Sequence, residues 1–340
     1  MRVCSWFRTG QGGNDISGVR GSQTRLPGGL GVASIPAGQP PFSPAWLPIR
    51  VMIELPQADS RPRRAAQIEP PAPACRGCAM TAESEFSIVH FSDAHLFGDP
   101  AHVIYGVEPA RALKAAIASI NAIRPRPDLC VYTGDSVSEQ TEVAYRLFKA
   151  QMDTVGPPVH YAVGNHDDRG SLRRHLMNQE QPGGDPYYYC LHRSGWRLVV
   201  LDTSRPGEVW GGMEEEQLQW LDRLLRERQP TLVFMHHHPL SIGLSWMDAL
   251  MLKNADPLLE ILKEAQCVEA VFFGHIHFEC HLHYAGIHFM SVPAISFQFG
   301  EGPWSEKLVS LPGGYRVISL GAQGLRTVVH RLTADELRRA

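Results

Sequence analysis

The sequence predicts an α/β fold, and two features predict it. From residue 85 onward, short apolar runs rich in β-branched and aromatic residues alternate with stretches of helical period, as strands joined by helices do. Four of those runs, FSIVHFSD, PDLCVYTGD, TLVFMHHH and VEAVFFGHIH, finish in Asp or His. Open α/β sheets gather residues at the carboxyl ends of their strands, so side chains far apart in the chain are expected to meet along one edge.

After the run that delivers Asp93, residues 108–123 (EPARALKAAIASINAI) repeat with helical spacing and stop before Pro125, whose ring cannot continue a helix. Residues 139–155 are helical in pattern again. The run PVHYAVG reads as a strand leading to Asn165 and His166. Residues 187–191 and 196–202 read as paired strands turning at Arg193-Ser194-Gly195. Residues 214–228 form an amphipathic helix with Leu218, Leu221, Leu224 and Leu225 on one face. TLVFM leads into three histidines, residues 257–265 read as helix, and VEAVFF leads into GHIH. Residues 287–292, 315–320 and 325–331 read as closing strands of a second sheet, while His281 and His283 fall in a surface turn.

Residues 1–79 have a different character, with 10 Gly and 11 Pro and no sustained period of 2 or 3.6. Such composition reads as a disordered extension. It is either a flexible tail or the product of a start codon placed too far upstream, with Met80 the true initiator. Both readings leave one domain over 80–340, long enough to bury a single core.

Charge and composition exclude several classes. Residues 1–79 carry nine Arg and four acids, whereas residues 80–340 carry 23 basic and 31 acidic groups. A net-acidic domain is poorly suited to neutralising phosphates along a chain, so no nucleic-acid polymer is expected as partner. No run of about 18 apolar residues exists, so no membrane span is expected. The N-terminus lacks the continuous apolar stretch of a secretory signal. Seven Cys form no framework, and Cys75-Arg-Gly-Cys78 has no second pair to complete a zinc site. Cys130 and Cys267 read as small buried hydrophobes. Together these place the protein in the reducing cytoplasm.

Five motifs then carry the chemistry: Asp93-Ala-His95, Gly134-Asp135, Gly164-Asn165-His166-Asp167, His236-His237-His238 and Gly274-His275-Ile276-His277. All offer hard oxygens or imidazoles, and none offers a thiolate. Asp-x-His and His-x-His at strand ends would send both side chains to one side by the period-2 alternation of a strand. The same alternation turns His237 away from His236 and His238, so the triplet offers one ligand. Singly, Asp135 reads as a helix N-cap and Asn165 as a turn residue. His90, His160 and His288 lie on apolar strands and read as packing. The five motifs in order change that reading. Seven ligand-type side chains exceed the needs of one ion, and two metals sharing a carboxylate hydrolyse phosphate esters.

The pattern D-x-H, G-D, G-N-H-D, H, G-H-x-H resembles the calcineurin-like metallophosphoesterase superfamily over about residues 85–331. The resemblance implies a four-layer α/β/β/α sandwich. It implies Asp93, His95 and His277 on one metal, Asn165, His236 and His275 on the other, and Asp135 bridging them. Two such cations would supply a bridging hydroxide to attack phosphorus, and an alkoxide leaving group calls for an acid, for which His166 is the candidate, with Asp167 or Asp168 to orient it. His95, Asp135, Asn165, His166, His236 and His277 would surround the substrate. The sequence is most similar to bacterial class III cyclic-nucleotide phosphodiesterases, through HHHPLSIGLSWMDALMLKN, DAHLF, VPAISFQF and PGGYRVISLGAQGLRTVVHRL. That similarity implies conversion of 3',5'-cyclic AMP to 5'-AMP and a small-molecule partner; imidazole, carboxylate and amide donors admit Fe or Mn, or else Zn, as metals. Other phosphodiesters, such as glycerophosphodiesters or 2',3'-cyclic nucleotides, stay open, because residues 243–254 and 294–299 choose the organic half. A non-catalytic scaffold would be expected to have lost ligands. Ser138 departs from the Asp or Asn that relatives often carry three residues after the bridging aspartate.

Overall fold

The computed structural model describes residues 66–67, 85–179, 183–321 and 324–340. Most of the expected extension over 1–79, with Cys75 and Cys78, therefore lies outside the described residues. In chain order the elements are β1 (Ala66–Gln67), β2 (Phe86–Phe91), α1 (Pro109–Ala122), β3 (Leu129–Tyr132), α2 (Glu142–Met152), β4 (Val159–Tyr161) and α3 (Arg169–Met177). There follow β5 (Tyr189–Arg193), β6 (Trp196–Val200), α4 (Glu215–Leu225), β7 (Thr231–Met235), α5 (Ser245–Asp248), α6 (Ala255–Ala265), β8 (Val268–Phe273), β9 (His281–Tyr284) and β10 (Ile287–Ser291). The chain closes with β11 (Gln298–Phe299), β12 (Leu308–Val309), β13 (Gly314–Gly321), β14 (Gly324–Arg331) and α7 (Ala334–Arg339).

Two six-stranded sheets result, ordered β1-β14-β13-β2-β3-β4 and β5-β6-β7-β8-β10-β9. Strands β2, β3 and β4 run parallel, as do β6, β7, β8 and β10. Alternation along each strand divides its side chains between two cores. Ile88, Leu129, Val131, Phe234 and Phe272 pack between the sheets. Val89, Phe91, Cys130 and Tyr132 face α1, α2 and α3, whereas Val233, Met235, Val271 and Phe273 face α4 and α6. Both faces of each sheet are covered, which explains why these runs are apolar throughout rather than alternating. The layers are α/β/β/α, as expected. Truncating a fully buried ring between the sheets, such as Phe234, costs about 3–5 kcal/mol.

Element boundaries follow local chemistry. Helix α1 starts at Pro109, where no amide hydrogen is missed. Helix α2 starts at Glu142 and not at 139, because the Thr141 side chain accepts from Ala144 N and caps it there. Helix α6 starts two residues before Pro257, since the first turn tolerates proline. The turn expected at 193–195 is present, with Ser194 and Gly195 at φ 49° and 81°.

The late strands correct the expectation of one closing sheet. β10 joins the second sheet beside β8, but β13 and β14 belong to the first, β13 antiparallel to β2. His281 and His283 are also not in a turn. They sit on β9, and the actual turn is Ala285-Gly286, both at positive φ, which sets His283 opposite His288. Among the described residues no helix is long and apolar enough to cross a membrane.

Candidate metal centre

The parallel strands of both sheets end at one edge, and the motif residues follow just beyond them. β2 ends at Phe91, before Asp93 and His95; β3 ends at Tyr132, before Asp135; β8 ends at Phe273, before His275 and His277. These side chains are therefore not aimed by strand alternation, as the period-2 spacing implied. They are aimed by left-handed backbone: φ is 61° at Asp93, 52° at His95, 55° at Asp135, 65° at His275 and 57° at His277. Of eleven non-glycine residues at positive φ among the described residues, five are these, which marks the loops as strained where function is built. The strain is held by cross-bonds. Asp93 N and His95 N donate to the Gly134 and Asp135 carbonyls at 3.0 Å, and His275 N donates to the Asp93 carboxylate at 3.2 Å.

The motif glycines let these loops interleave. A Cβ on Gly134 would lie 2.5 Å from Gly164 N and 2.9 Å from His236 Nδ1. One on Gly274 would lie 2.5 Å from Asp93 Oδ2.

The side chains converge tightly. Asp93, His95 and His277 place one ligand atom each within 4.8 Å of one another, and so do Asp93, Asp135 and His236. Asp135 Oδ2 stands 3.5 Å from His95 Nε2 and 3.4 Å from His236 Nε2. His277 Nε2 lies 3.3 Å from Asp93 Oδ1 and 3.1 Å from His95 Nε2. Asn165 Oδ1 is 3.0 Å from His236 Nε2. All seven expected ligands are thus in one cluster.

His237 shares a 4.8 Å group with His236 and His275, but both its ring nitrogens are taken, by Thr203 Oγ1 at 2.8 Å and the Val209 carbonyl at 3.1 Å. His238 turns toward Asp248, 3.6 Å away.

The calcineurin-like phosphoesterase family model matches residues 86–279, the span from β2 to just past His277. The chain belongs to the calcineurin-like phosphoesterase family. The phosphoesterase is 31% identical to the 3',5'-cyclic adenosine monophosphate phosphodiesterase CpdA of Escherichia coli K12, over 74% of this chain and 92% of that protein. It is equally similar, at 31%, to the CpdA of Pseudomonas aeruginosa, over 72% and 89% of the two chains. A probable cyclic nucleotide phosphodiesterase of Synechococcus is also 31% identical, over 77% and 96%. Among solved structures, a dimetal phosphatase from Danio rerio aligns with TM-score 0.53 and 18% identity, over 73% of this chain and 99% of its own. Purple acid phosphatase from yellow lupin seeds aligns at 0.54 and 13%, over 74% and 52%. These last two show the shared fold alone.

The donor set of the phosphoesterase fits metal ions. His275 Nε2 is buried without a hydrogen-bond partner, a cost that native proteins rarely leave unmet. Two buried imidazole nitrogens, from His95 and His277, face each other although His277 Nδ1 already bonds the Phe297 carbonyl at 2.9 Å. His236 Nδ1 likewise bonds the Thr133 carbonyl at 2.7 Å, which leaves Nε2 turned inward as a ligand requires. Two carboxylates, Asp93 and Asp135, are buried there, and among the described residues no Lys or Arg pairs with either. Burial alone would raise the Asp135 pKa, but His236, His166 and His95 outweigh it and hold the carboxyl well below its usual range. Burial would lower that of His236, yet Asp135 pushes it up to about 9. His275, by contrast, is driven well below 6.5 by burial and by its imidazole neighbours, so it stays a neutral donor.

His166 is half-buried, its ring edge-on to His95 at 4.8 Å and its backbone N donating to Asp135 Oδ1 at 2.8 Å. Neither neighbouring aspartate bonds its ring, contrary to expectation. Asp167 accepts from Gly164 N and Ser136 N, at 3.0 and 3.1 Å, and so pins two motif loops together. Asp168 caps α3 through Ser171 N. Ser138 reaches His95 instead of His166, its Oγ 3.5 Å from Nδ1. The carbonyls of Thr133 and Phe297 escape any sequence reading, because they act through backbone that every residue type shares.

Proposed function

We propose that this phosphoesterase hydrolyses 3',5'-cyclic AMP to 5'-AMP at a dinuclear metal centre. The observation that carries the dinuclear reading is the position of Asp135 Oδ2, about equally far from His95 Nε2 and His236 Nε2. One group, Asp93, His95 and His277, would hold the first ion; Asn165, His236 and His275 would hold the second; Asp135 would serve both. Imidazole, carboxylate and amide donors suit Fe, Mn or Zn. The cyclic-AMP reading is supported by the relatives of that printed activity, which are matched over about nine-tenths of their length.

Two cations supply Lewis acidity to the phosphoryl oxygens and lower the pKa of bound water. The residues do the rest. His95, Asn165, His236 and His277 line the floor on which the phosphate would sit, beside Asp135. Water gives up one proton to solvent as it attacks phosphorus opposite O3', a new P–O bond forms as P–O3' breaks, and a ring nitrogen of His166 gives its proton to O3'. An alkoxide leaves poorly unless protonated, and general acids of this kind contribute about 10²–10⁴-fold. The substrate is a small cyclic diester in the cytoplasm, acted on by a domain spanning residues 80–340.

The test is a turnover panel with metal-reconstituted protein, accompanied by elemental analysis. Preference for 3',5'-cyclic AMP over 2',3'-cyclic AMP and glycerophosphodiesters, with about two metals per chain, is expected. Preference for either competitor would replace the substrate assignment. A stoichiometry of one metal would end the dinuclear reading.

A further inference from the structure

Beside the imidazoles stands a group of aromatic side chains that the hydrolytic chemistry does not use. Phe297 packs against His277 and His95, with ring centroids 4.6 and 5.3 Å apart. Phe299 stacks on His277 at 4.7 Å and 22°. Trp246 meets Phe299 edge-on at 5.4 Å. Tyr105 touches Phe297 edge-on at 4.9 Å and is itself 43% exposed.

The backbone under Tyr105 is unusual. Ile104 and Val107 exchange both backbone hydrogen bonds at 2.9 Å, closing a two-residue turn whose central residues, Tyr105 and Gly106, have φ of 50° and 79°. That is the geometry in which Asn-Gly is strongly preferred. A bulky aromatic residue at positive φ is an outlier. Its ring lies half in solvent and so recovers little of that cost through burial. A turn tip held in strain to present a half-exposed ring suits a ligand contact.

We infer that the Tyr105 ring, supported edge-on by the buried Phe297, is a stacking platform for the nucleobase of the substrate. The inference rests on the cyclic-nucleotide reading and deepens it. A nucleotide carries its base one sugar away from its phosphate, and Tyr105 stands one phenyl ring away from the imidazoles. Stacking gives affinity for any flat base and none for a glycerol or bare sugar ester, so this platform selects nucleotides over aliphatic phosphodiesters without reading the base edge.

The experiment measures inhibition constants of 5'-AMP and ribose 5-phosphate against bis-p-nitrophenyl phosphate turnover, in full-length wild-type protein, Tyr105→Asn and Tyr105→Phe. Wild type and Tyr105→Phe are expected to bind 5'-AMP more tightly than ribose 5-phosphate. Tyr105→Asn should cut that ratio roughly tenfold, the loss of about 1.4 kcal/mol of stacking. Its ribose 5-phosphate constant should hold, and its melting temperature should hold or rise because Asn-Gly suits the turn. An unchanged ratio would overturn the platform. A lower melting temperature with equal weakening of both ligands would also overturn it, by making Tyr105 a packing residue. If the ratio depends on Tyr105 while 3',5'-cyclic AMP is not hydrolysed, the platform stands and the proposed reaction falls.

Discussion

Asp135 Oδ2 and His236 Nε2 meet at 3.4 Å with both side chains closed to solvent, although they come from different sheets. Asp135 follows β3 and His236 follows β7, so this contact ties the two halves of the sandwich together at the site. Each group perturbs the other in the direction a charge pair requires: Asp135 downward, His236 upward against its burial. Asp135→Asn keeps the shape and removes the charge. The expected result is a fall in kcat of about 10³ or more, with bound metal reduced at both positions. Elemental analysis beside kinetics checks it, and near-normal turnover would remove Asp135 from its shared role.

His166 is expected to act only where the leaving group needs a proton. His166→Ala should lower kcat on 3',5'-cyclic AMP by about 10²–10⁴. Its effect on bis-p-nitrophenyl phosphate should be much smaller, since nitrophenolate departs without help. Equal losses on the two substrates would assign His166 to binding or to loop structure, through its backbone bond to Asp135.

The fold was readable because its strands are buried on both faces, and a run such as VEAVFF has few other uses. The seven candidate ligands were readable because their types and order are unusual together. What aims them was not. Positive φ at Asp93, His95, His275 and His277 leaves no mark in composition, and the same spacing on a plain strand would look identical. Asp167 illustrates the limit from the other side. Its place in the motif marked it as important, but only the folded loops show that its oxygens go to Gly164 N and Ser136 N. The sheet of the late strands was also beyond reach, because pairing β13 with β2 links residues more than two hundred positions apart, a register no local pattern encodes.

Gly274 tests how closely the loops are fitted. Added at this position, a Cβ would meet Asp93 Oδ2 at 2.5 Å and Ser92 Oγ at 2.3 Å, both below any ordinary contact. Asp93 must then move, and it carries the bond to His275 N. Gly274→Ala should therefore cost about 1–3 kcal/mol in stability and lower activity by more than that loss of folded protein explains. Thermal unfolding and kcat per folded molecule separate the two effects. Wild-type activity would show that the loop has room.

His288 gives one pH dependence away from the candidate metal centre. Burial, then His281 and His283, lower its pKa to about 4; His281 Nε2 lies 3.0 Å from its Nδ1, and His283 faces it across the β9–β10 pair. An unfolded histidine titrates near 6.5. Between about pH 6.5 and 4 the unfolded chain therefore binds a proton that the folded chain refuses, so stability is full above this window and falls as pH drops through it. His288→Gln removes that contribution. Its melting temperature should drop less than that of wild type between pH 7 and pH 5, by about 2 °C. Scanning calorimetry at the two pH values decides it, and an identical drop in both proteins would show that His288 protonates freely in the folded state.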